Sequence, residues 1–311
     1  MIYCYNFVYL RIRSITKYYM LSSSPIISPI EEIAAYETLW ENQKASFKSI
    51  AEIFRSNPGS KPTDFVNKNK FEHNLNEIIS IIHNLREENK FRPNLLINGS
   101  VNYPEKLRDA REPVELLYYT GNLDLIYGRS VAIVGTRNPS PEGIARAERM
   151  TKLLVENGFT IASGLAAGID TIAHTTAIKN NGNTIAVIGT PLNTVYPKEN
   201  FKLQQFIAHN HLLITQVPFI KYKKQDYRSN RLFFPERNKT MSAITEATII
   251  IEAGETSGTL VQARAALQQG RKLFILNSCF ENKNITWPSY YEKKGAIRVR
   301  NFEDVLSNLS K

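Results

Sequence analysis

The feature of the sequence that most constrains its fold is a strand-like run ending in a tight turn, Val131–Ser140 (VAIVGTRNPS). The turn carries Arg137, and Pro141 directly after it is typical of a helix start. A strand that feeds a helix in this way brings main-chain N–H groups and the positive helix end to one point, where a phosphate binds well. The same design recurs at Phe159–Gly168 (FTIASGLAAG) and Ile249–Thr259 (IIIEAGETSGT). Together the three turns predict a surface that holds a phosphate backbone.

Short apolar runs alternate with helix-like segments from about residue 95 onwards. The runs are Val131–Val134, Thr160–Ala162, Thr184–Ile188, Leu212–Thr215, Ala247–Ile251 and Leu273–Leu276. Strands interleaved with helices indicate a mostly parallel sheet that is covered on both faces. We therefore predict an α/β fold, a doubly wound Rossmann-like sheet preceded by a small helical domain. Because ligands of such sheets bind at the carboxyl ends of the strands, the three turns should meet at one edge, together with Gly189–Asn200.

The pattern divides the chain into three parts. Residues 1–30 are predicted to be an N-terminal extension that need not be ordered, and we expect Met20 rather than Met1 to be the initiator. Residues 31–95 follow a helical period and are predicted to form a small accessory domain. Residues 96–311 are predicted to form the Rossmann-like domain.

Composition restricts the ligands and the compartment. Lys and Arg number 39 against 29 Asp and Glu, and the net charge of +10 favours a polyanionic partner. The two cysteines, Cys4 and Cys279, are too few for a disulfide framework, which favours a reducing cytoplasm. Five scattered histidines without a Cys-x-x-Cys pair predict no metal site, and the lack of a run of about 18 apolar residues predicts no membrane span.

The densest basic segment is Ile220–Lys239 (IKYKKQDYRSNRLFFPERNK), in which seven basic residues accompany two acidic ones. The aromatic residues interleaved with these charges are Tyr222, Tyr227, Phe233 and Phe234. Cations that track phosphates and rings that stack on bases are typical of single-strand binding. A solvated loop whose rings anchor it to the core fits the same composition equally well.

Motifs for common nucleotide cofactors are absent. The turn Gly135–Gly143 lacks G-x-G-x-x-G spacing, and the next predicted strand ends at Ser163–Gly164 without the carboxylate that binds an NAD ribose. The sequence also lacks the Gly-Lys-Ser/Thr triple of a P-loop. Asp170 and His174 lie four residues apart on a predicted helix, but no nucleophile accompanies them. We interpret them as a helix-start carboxylate and a structural histidine, and we expect no cofactor.

A series of motifs in fixed order resembles the DprA/Smf family of DNA-processing proteins. The motifs are GTRNPS, SGLAAGIDTIAH, IGTPLNTVYPKEN, FPERNKTMSAITEATIIIEA and SGTLVQARAALQQGR. The resemblance extends from about Tyr103 to about Leu306, which is some two-thirds of the chain. It implies a Rossmann-like protein that binds single-stranded DNA, forms a homodimer and acts as a recombination mediator. It further implies loading of the RecA recombinase in natural transformation, a cytoplasmic location and no enzymatic turnover.

The resemblance also implies which residues contact nucleic acid. Arg137 should bind a phosphate or a base edge, Ser163 and Gly164 should offer a main-chain cradle, and Lys198 and Phe201 should pair with a phosphate and stack on a base. The full predicted set is Gly135, Thr136, Arg137, Ser163, Gly164, Lys198, Phe201, Arg237, Asn238, Lys239, Ser257, Gly258 and Thr259.

Two features depart from the family pattern, and two other functions stay open. Lys239 stands where the family commonly has arginine, and Asn277-Ser278 where it usually has proline-glycine.

One alternative function is a sensor whose three turns hold a single small nucleotide. The other is an enzyme similar to the nucleotide phosphoribohydrolases, but Gln262 stands at the position of their catalytic glutamate. Glu255 could replace that carboxylate only from a different loop position.

Overall fold

The computed structural model describes residues 28–88, 91–111 and 113–309. In these ranges the chain forms a nine-stranded sheet with helices on both faces. The strands are β1 (Asn94–Ile97), β2 (Leu116–Gly121), β3 (Ser130–Val134), β4 (Thr160–Ser163), β5 (Thr184–Val187), β6 (Leu212–Thr215), β7 (Ala247–Ile250), β8 (Lys272–Leu276) and β9 (Ile297–Val299). The predicted extension lies outside the described residues except for 28–30, and so does Met20.

Helices precede the sheet and connect its strands, and short 3₁₀ turns cover Leu123–Ile126 and Lys198–Asn200. The helices are α1 (Pro29–Leu39), α2 (Phe47–Arg55), α3 (Pro62–Phe65), α4 (Lys68–Glu88), α5 (Glu105–Arg108), α6 (Pro141–Glu156), α7 (Ile169–Lys179), α8 (Phe201–Asn210), α9 (Phe219–Lys224), α10 (Tyr227–Asn230), α11 (Phe233–Ile244), α12 (Thr259–Gln268), α13 (Asn277–Glu281), α14 (Trp287–Glu292) and α15 (Glu303–Leu309).

The sheet confirms the predicted doubly wound fold. Its strand order is β1-β2-β6-β5-β4-β3-β7-β8-β9. Strands β3 to β9 run parallel, whereas β2 pairs antiparallel with β6, and β1 antiparallel with β2. The chain builds outward from β3 on one side and then returns to place β7 on its other side. The gap between the carboxyl ends of β3 and β7 is therefore the topological switch point, where ligands of such sheets bind.

Alternating side chains along β3 explain why both faces of the sheet are covered. Val131 and Ile133 pack with apolar residues of α6, α7 and α15, whereas Ala132 and Val134 pack with residues of α11 and α12. All four side chains are buried. A strand whose two faces are both apolar needs a helical layer on each side. The helices packed on β3 include α7 and α12, and their first turns lie at the switch point.

The six apolar runs correspond to β3 through β8, and each predicted end lies within one residue of the observed one. Strands β1, β2 and β9 were not predicted. β9 spans only three residues, and Arg298 at its centre interrupts the apolar pattern. β1 and β2 extend the parallel sheet by antiparallel pairing, and α5 between them spans only four residues, so the alternation of strands with long helices that indicates a parallel sheet is missing there.

Helices α1 to α4 form the predicted helical region and share a hydrophobic cluster with the sheet domain. Tyr36 and Trp40 pack in one cluster with Tyr118 of β2 and Phe233 of α11, and Trp40 lies edge-on to Phe233 with ring centroids 6.2 Å apart. A boundary at residue 95 stays a prediction, because the helices and the sheet bury side chains in common.

The basic segment 220–239 folds into helices α9 to α11, and part of its charge is neutralised by the N-terminal helices. Lys223 Nζ lies 2.8 Å from a carboxylate oxygen of Glu77, and Lys224 Nζ lies 3.1 Å from one of Glu41. Phe233, one of its interleaved rings, is buried in the shared cluster. Phe233 therefore anchors the segment to the core, as in the second interpretation of its composition.

A buried carboxyl group joins α1 to α9. Glu37 is fully buried, and its oxygens accept hydrogen bonds from the main-chain N–H groups of Phe219 (2.7 Å) and Ile220 (3.0 Å) and from the Tyr118 hydroxyl (2.9 Å). Burial raises the pKa of Glu37 to about 7, because it outweighs these donors, which act in the opposite direction. The folded state therefore holds a proton on Glu37 at a pH where the unfolded chain has lost it.

We predict that the Glu37→Gln variant changes the pH dependence of stability. Because the folded pKa of Glu37 lies above its unfolded value of 4.5, its stabilising contribution is complete below about pH 4.5 and falls as the pH rises to about 7. The urea midpoint of the variant, measured from pH 4.5 to 8, should decline less than that of the wild type. Part of the decline should remain, since burial also raises the pKa of Glu115 to about 7.

The matched control is Glu41→Gln, which removes an exposed carboxylate paired with Lys224. It should leave the slope of the midpoint against pH unchanged. Equal slopes for the wild type and Glu37→Gln would contradict the assignment.

Candidate nucleic-acid interface

A pocket of about 480 Å³ lies at the switch point. The three turns singled out in the sequence meet there, as predicted for the carboxyl edge of the sheet. One wall consists of Gly135–Arg137 after β3, a second of Ala166 and Asp170 near the start of α7, and a third of Gly254–Thr259 before α12, without Glu255. Helix α11 closes the remaining side. We call this cavity the central pocket.

Main-chain hydrogen bonds hold the three turns against one another. The N–H of Thr136 donates to the carbonyl of Glu252 (2.7 Å), and the N–H of Ile169 donates to the carbonyl of Thr136 (3.2 Å). Gly168 has a φ of +75°, and a Cβ atom there would lie 2.5 Å from the carbonyl oxygens of Thr136 and Arg137. A side chain at this position would push the first two turns apart.

The first turn differs from the prediction at its helix. The N-terminus of α6 was expected to face a phosphate, but the Glu252 carboxylate occupies it. This carboxylate accepts from the N–H of Ser140 (3.0 Å) and from its hydroxyl (2.6 Å), and the hydroxyl in turn caps the N–H of Gly143. The positive end of α6 thus stabilises a side chain of the protein itself.

Arg237 lies beneath the central pocket, where it supports the surrounding main chain. Its side chain is 6% exposed. One Nη atom donates to the carbonyl oxygens of Gly164 and Val187, and Nε donates to the Asn238 side chain (2.9 Å). Burial lowers the pKa of Arg237, while the nearby Asp170 raises it. The guanidinium therefore joins the ends of β4 and β5 to α11.

Asp170 and His174 have structural partners, in agreement with the interpretation from sequence. Asp170 accepts from the N–H groups of Gly164 (3.2 Å) and Ala166 (3.4 Å), and burial raises its pKa although Arg237 and these donors lower it. The Nδ1 atom of His174 lies 2.6 Å from the Thr184 hydroxyl, and burial lowers the pKa of His174 to about 3. A fully buried neutral imidazole cannot exchange protons with a ligand in the pocket.

The opening of the central pocket is cationic. Arg137 and Arg231 are both exposed and both line it, and Asp170 is the one carboxylate among its lining residues. The first turn of α12 also faces the pocket through Ser257, Gly258 and Thr259. An anion in this opening would meet two guanidinium groups and the positive end of a ten-residue helix.

The structure brings most of the predicted contact residues to the central pocket. The lining residues from that set are Gly135, Thr136, Arg137, Arg237, Asn238, Ser257, Gly258 and Thr259. Ser163 and Gly164 lie below it: the Ser163 hydroxyl donates to the carbonyl of Ile133 (2.7 Å), and both main-chain polar groups of Gly164 have partners within the protein. These two residues are placed to support the pocket, and direct contact by them stays a prediction.

Three further predicted residues lie away from the pocket lining. Lys198 and Phe201 are at the start of α8, and the Phe201 ring is 50% exposed. Lys239 points to another side of α11, where its Nζ lies 2.9 Å from Glu236 Oε1. Lys239 follows directly after Arg237 and Asn238 in α11, but the rotation of about 100° per residue turns its side chain away from the pocket that those two residues line.

Arg231 and Phe234 line the central pocket but were not in the predicted set. Both lie in the basic segment, and the signal that could have found Phe234 is its spacing from Asn238 and Met241, which place it on one face of α11. Phe234 contacts the β5–α8 loop, because its ring lies 5.4 Å from that of Tyr196. This contact brings the loop that carries Lys198 next to the pocket.

Gln262 and Glu255, the two residues considered for a hydrolase activity, both form hydrogen bonds within the protein. Gln262 is buried, and its amide is hydrogen-bonded to the Thr248 hydroxyl (3.0 Å). Glu255 points away from the central pocket and accepts from the Thr286 hydroxyl (2.6 Å) and N–H (2.7 Å), which lower its pKa. Neither residue presents a free carboxylate to a ligand in the pocket.

No helix among the described residues is long and apolar enough to cross a membrane. In the same part of the chain, His, Cys, Asp and Glu form no group of three that could hold a metal ion.

A doubly wound sheet with an arginine-lined pocket at its switch point defines a Rossmann-like protein with a cationic pocket at the carboxyl edge of its sheet. The family model described as DNA recombination-mediator protein A matches residues 94–310, and the chain belongs to this family. The resemblance to DprA/Smf proteins is thereby confirmed. The chain is 33% identical over 212 residues to DNA processing protein DprA of Bacillus subtilis, covering 68% of this chain and 69% of that protein. It is 36% identical over 205 residues to DprA of Streptococcus pneumoniae, covering 66% and 70%.

Solved structures of two relatives have the same fold. DNA processing protein A of Streptococcus pneumoniae superposes with a TM-score of 0.67 at 29% identity, covering 90% of this chain and 98% of that one. DNA processing protein A of Helicobacter pylori, described for its unique single-stranded DNA binding mode, has a TM-score of 0.61 at 28% identity, covering 71% and 97%.

We predict that Arg237→Met destabilises the protein by about 3–5 kcal/mol, because the change leaves buried carbonyl groups without donors and the buried Asp170 without its countercharge. Urea denaturation would measure the free energy of unfolding. Arg231→Ala is the control for loss of an arginine from the same pocket. Since Arg231 is exposed, its loss should change the unfolding free energy by about 0.5 kcal/mol or less. A wild-type unfolding free energy for Arg237→Met would refute the supporting role.

Proposed function

We propose that the central pocket binds the backbone of single-stranded DNA and that the protein acts as a recombination mediator. Membership of the DNA recombination-mediator protein A family supports the mediator role, and the single-stranded DNA binding described for the Helicobacter pylori relative supports the ligand. The observation that carries the proposal is the pocket opening, where Arg137 and Arg231 are exposed while Asp170 is buried against main-chain donors.

In this proposal each wall has a distinct part. Arg137 and Arg231 bind phosphate oxygens, and the positive end of the α12 dipole adds to their attraction. The Phe234 ring offers a flat face on which a base can stack. None of these contacts reads a base edge through a fixed donor pattern, so binding is expected to depend little on sequence.

The β5–α8 loop extends the proposed site. Tyr196 touches Phe234, and Lys198 and Phe201 follow on the exposed side of the loop. A strand that leaves the central pocket across this loop would meet a cation and then an aromatic ring. The predicted roles of Lys198 and Phe201 in phosphate pairing and base stacking fit this position, while Lys239 would contribute through a more distant part of the surface.

The wider role follows from the family. We infer that the protein is a cytoplasmic homodimer, that it delivers bound single strands to the RecA recombinase in DNA uptake and natural transformation, and that it does so without catalysing a reaction. The partners of Gln262 and Glu255 support the non-enzymatic role, since neither residue can supply the carboxylate that glycosidic cleavage would need.

Arg137→Ala should weaken binding of a labelled oligothymidylate by about tenfold to a hundredfold, as expected for loss of one charge-assisted hydrogen-bonded contact of about 1.5–3 kcal/mol. The slope of log affinity against log salt should also fall by about 0.7, because one phosphate contact is lost. Fluorescence anisotropy at several salt concentrations measures both quantities.

Lys179→Ala is the matched control. Lys179 is exposed at the far end of α7, about 14 Å along the helix from Asp170 of the pocket, so this variant should bind oligonucleotide as the wild type does. Equal affinity and salt slope for Arg137→Ala and wild type would exclude Arg137 from the site. Displacement of the oligonucleotide by micromolar mononucleotide would favour the small-nucleotide sensor instead.

The mediator role predicts that the protein speeds RecA assembly on single strands already covered by single-strand-binding protein. RecA ATPase activity on such covered strands should rise when the wild-type protein is added, because ATP hydrolysis follows filament formation. Arg137→Ala should give a smaller rise at the same concentration. If the wild-type protein binds single strands but leaves the ATPase rate unchanged with the cognate RecA, the loading role is wrong while the binding role stands.

A further inference from the structure

A second groove lies beyond the central pocket at the same edge of the sheet. It has a volume of about 310 Å³ and runs between α6 and the carboxyl ends of β8 and β9. Its walls come from α6, from the segment Leu276–Ser278 with Glu281 of α13, and from the segment Val299–Phe302. We call it the C-terminal groove.

The C-terminal groove combines apolar and cationic side chains. Met150, Leu153 and Phe302 contribute apolar surface. Arg146, Arg149 and Arg300 line the same groove. Surfaces of this kind suit a nucleotide, whose base is planar and weakly polar and whose phosphate is anionic.

The three arginines of the groove have no carboxylate partner among the described residues, unlike Lys223 and Lys224 of the basic segment. Arg298 nearby is different, because its Nε donates to Asn277 (2.6 Å) and its guanidinium lies 4.5 Å from the centre of the Phe280 ring. Arg298 therefore helps to shape the wall, whereas the other arginines are available to an anion.

A third cavity, of about 530 Å³, connects the two sites. It shares Thr136 and Gly254 with the central pocket, and Arg146, Ser278 and Glu281 with the C-terminal groove. The strand order places β7 and β8 between β3 and β9, so the path crosses three interstrand spacings, or about 14 Å. A ligand that occupied both sites would be an extended chain, because a mononucleotide could not span that distance.

The connecting cavity also contains two carboxylates, and both have partners. Glu252 caps α6 through Ser140, as described above. Glu281 accepts a hydrogen bond of 2.6 Å from the Asn277 amide. Their charge opposes a phosphate directly beside them, so in the C-terminal groove, which Glu281 also lines, phosphate contacts are expected at Arg149 and Arg300 and not next to Glu281.

We propose that the C-terminal groove is a second binding subsite for the same nucleic-acid strand that occupies the central pocket, with Arg149 and Arg300 contacting its phosphates. The proposal rests on the proposed function. It predicts that affinity increases with strand length beyond the segment that fills the central pocket, and that this increase depends on the two arginines.

The test compares oligothymidylates of about six and about twenty nucleotides by fluorescence anisotropy, using the full chain. The double variant Arg149→Ala/Arg300→Ala should lose about tenfold or more of its affinity for the longer strand and less than about twofold for the shorter one. Its salt slope on the longer strand should fall by about 1.4, as expected for two lost single-strand phosphate contacts.

A charge-matched control is the double variant Lys152→Ala/Lys179→Ala, which removes two exposed cations outside the groove. It should bind both strands like the wild type, and circular dichroism should confirm that both variants are folded. If the control loses as much affinity as the arginine variant, the effect is one of net charge and the subsite is refuted.

The outcomes separate this inference from the proposed function. Binding of both strands that is sensitive to Arg137→Ala but unaffected by Arg149→Ala/Arg300→Ala would overturn the subsite and leave the central pocket in place. Absence of binding of either strand to the wild-type protein would overturn both proposals. Equal losses on duplex and single-stranded probes would identify the groove as a general polyanion surface and also refute the subsite.

Discussion

The structure around the central pocket depends on one buried guanidinium. Arg237 donates to carbonyl groups at the ends of two parallel strands and also holds Asn238, so that β4, β5 and α11 are fixed by a single side chain. A cation without solvent is costly unless its donors are paired, and here the main chain supplies the acceptors. Helix α11 carries Phe234 and other residues of the pocket wall. The exposed arginines can therefore face a ligand because a third arginine is used to build the frame behind them.

Local sequence patterns predicted much of the fold, but they did not predict the buried contacts of Arg237 and Glu252 behind the central pocket. Apolar runs predicted β3 to β8, and strand-turn-helix signals predicted that three turns would meet at one edge. These signals are local because side-chain periodicity and turn chemistry involve neighbouring residues. Burial of Arg237 depends on carbonyl groups 73 and 50 positions away along the chain. The Glu252 cap likewise joins segments separated by 112 positions. The residues around Ser140 give no indication that Glu252 is its partner, and the reverse is also true.

The distribution of charge also differs from what composition suggests. The segment 220–239 is the most basic in the sequence, yet the structure pairs Lys223 and Lys224 with carboxylates of the N-terminal helices and buries Arg237. Of the exposed arginines along the carboxyl edge of the sheet, Arg231 belongs to this segment, whereas Arg137, Arg149 and Arg300 come from parts of the sequence with no comparable density of positive charge. Electrostatic attraction of a polyanion is therefore governed by the order of strands in the sheet, which brings distant parts of the sequence into one row.

The Glu252 carboxylate at the start of α6 has a consequence for what the fold can select. In many Rossmann-like domains the corresponding helix end and its glycine turn form a rigid ring of N–H groups that matches one pyrophosphate. Here the Glu252 carboxylate occupies that helix end, and the cationic groups at the pocket opening are instead arginine side chains with several rotatable bonds. Such groups can follow phosphates whose spacing varies with the bend of the strand. Under the proposed function, a carboxylate at this helix end favours a ligand whose phosphate spacing varies over a ligand of fixed dimensions.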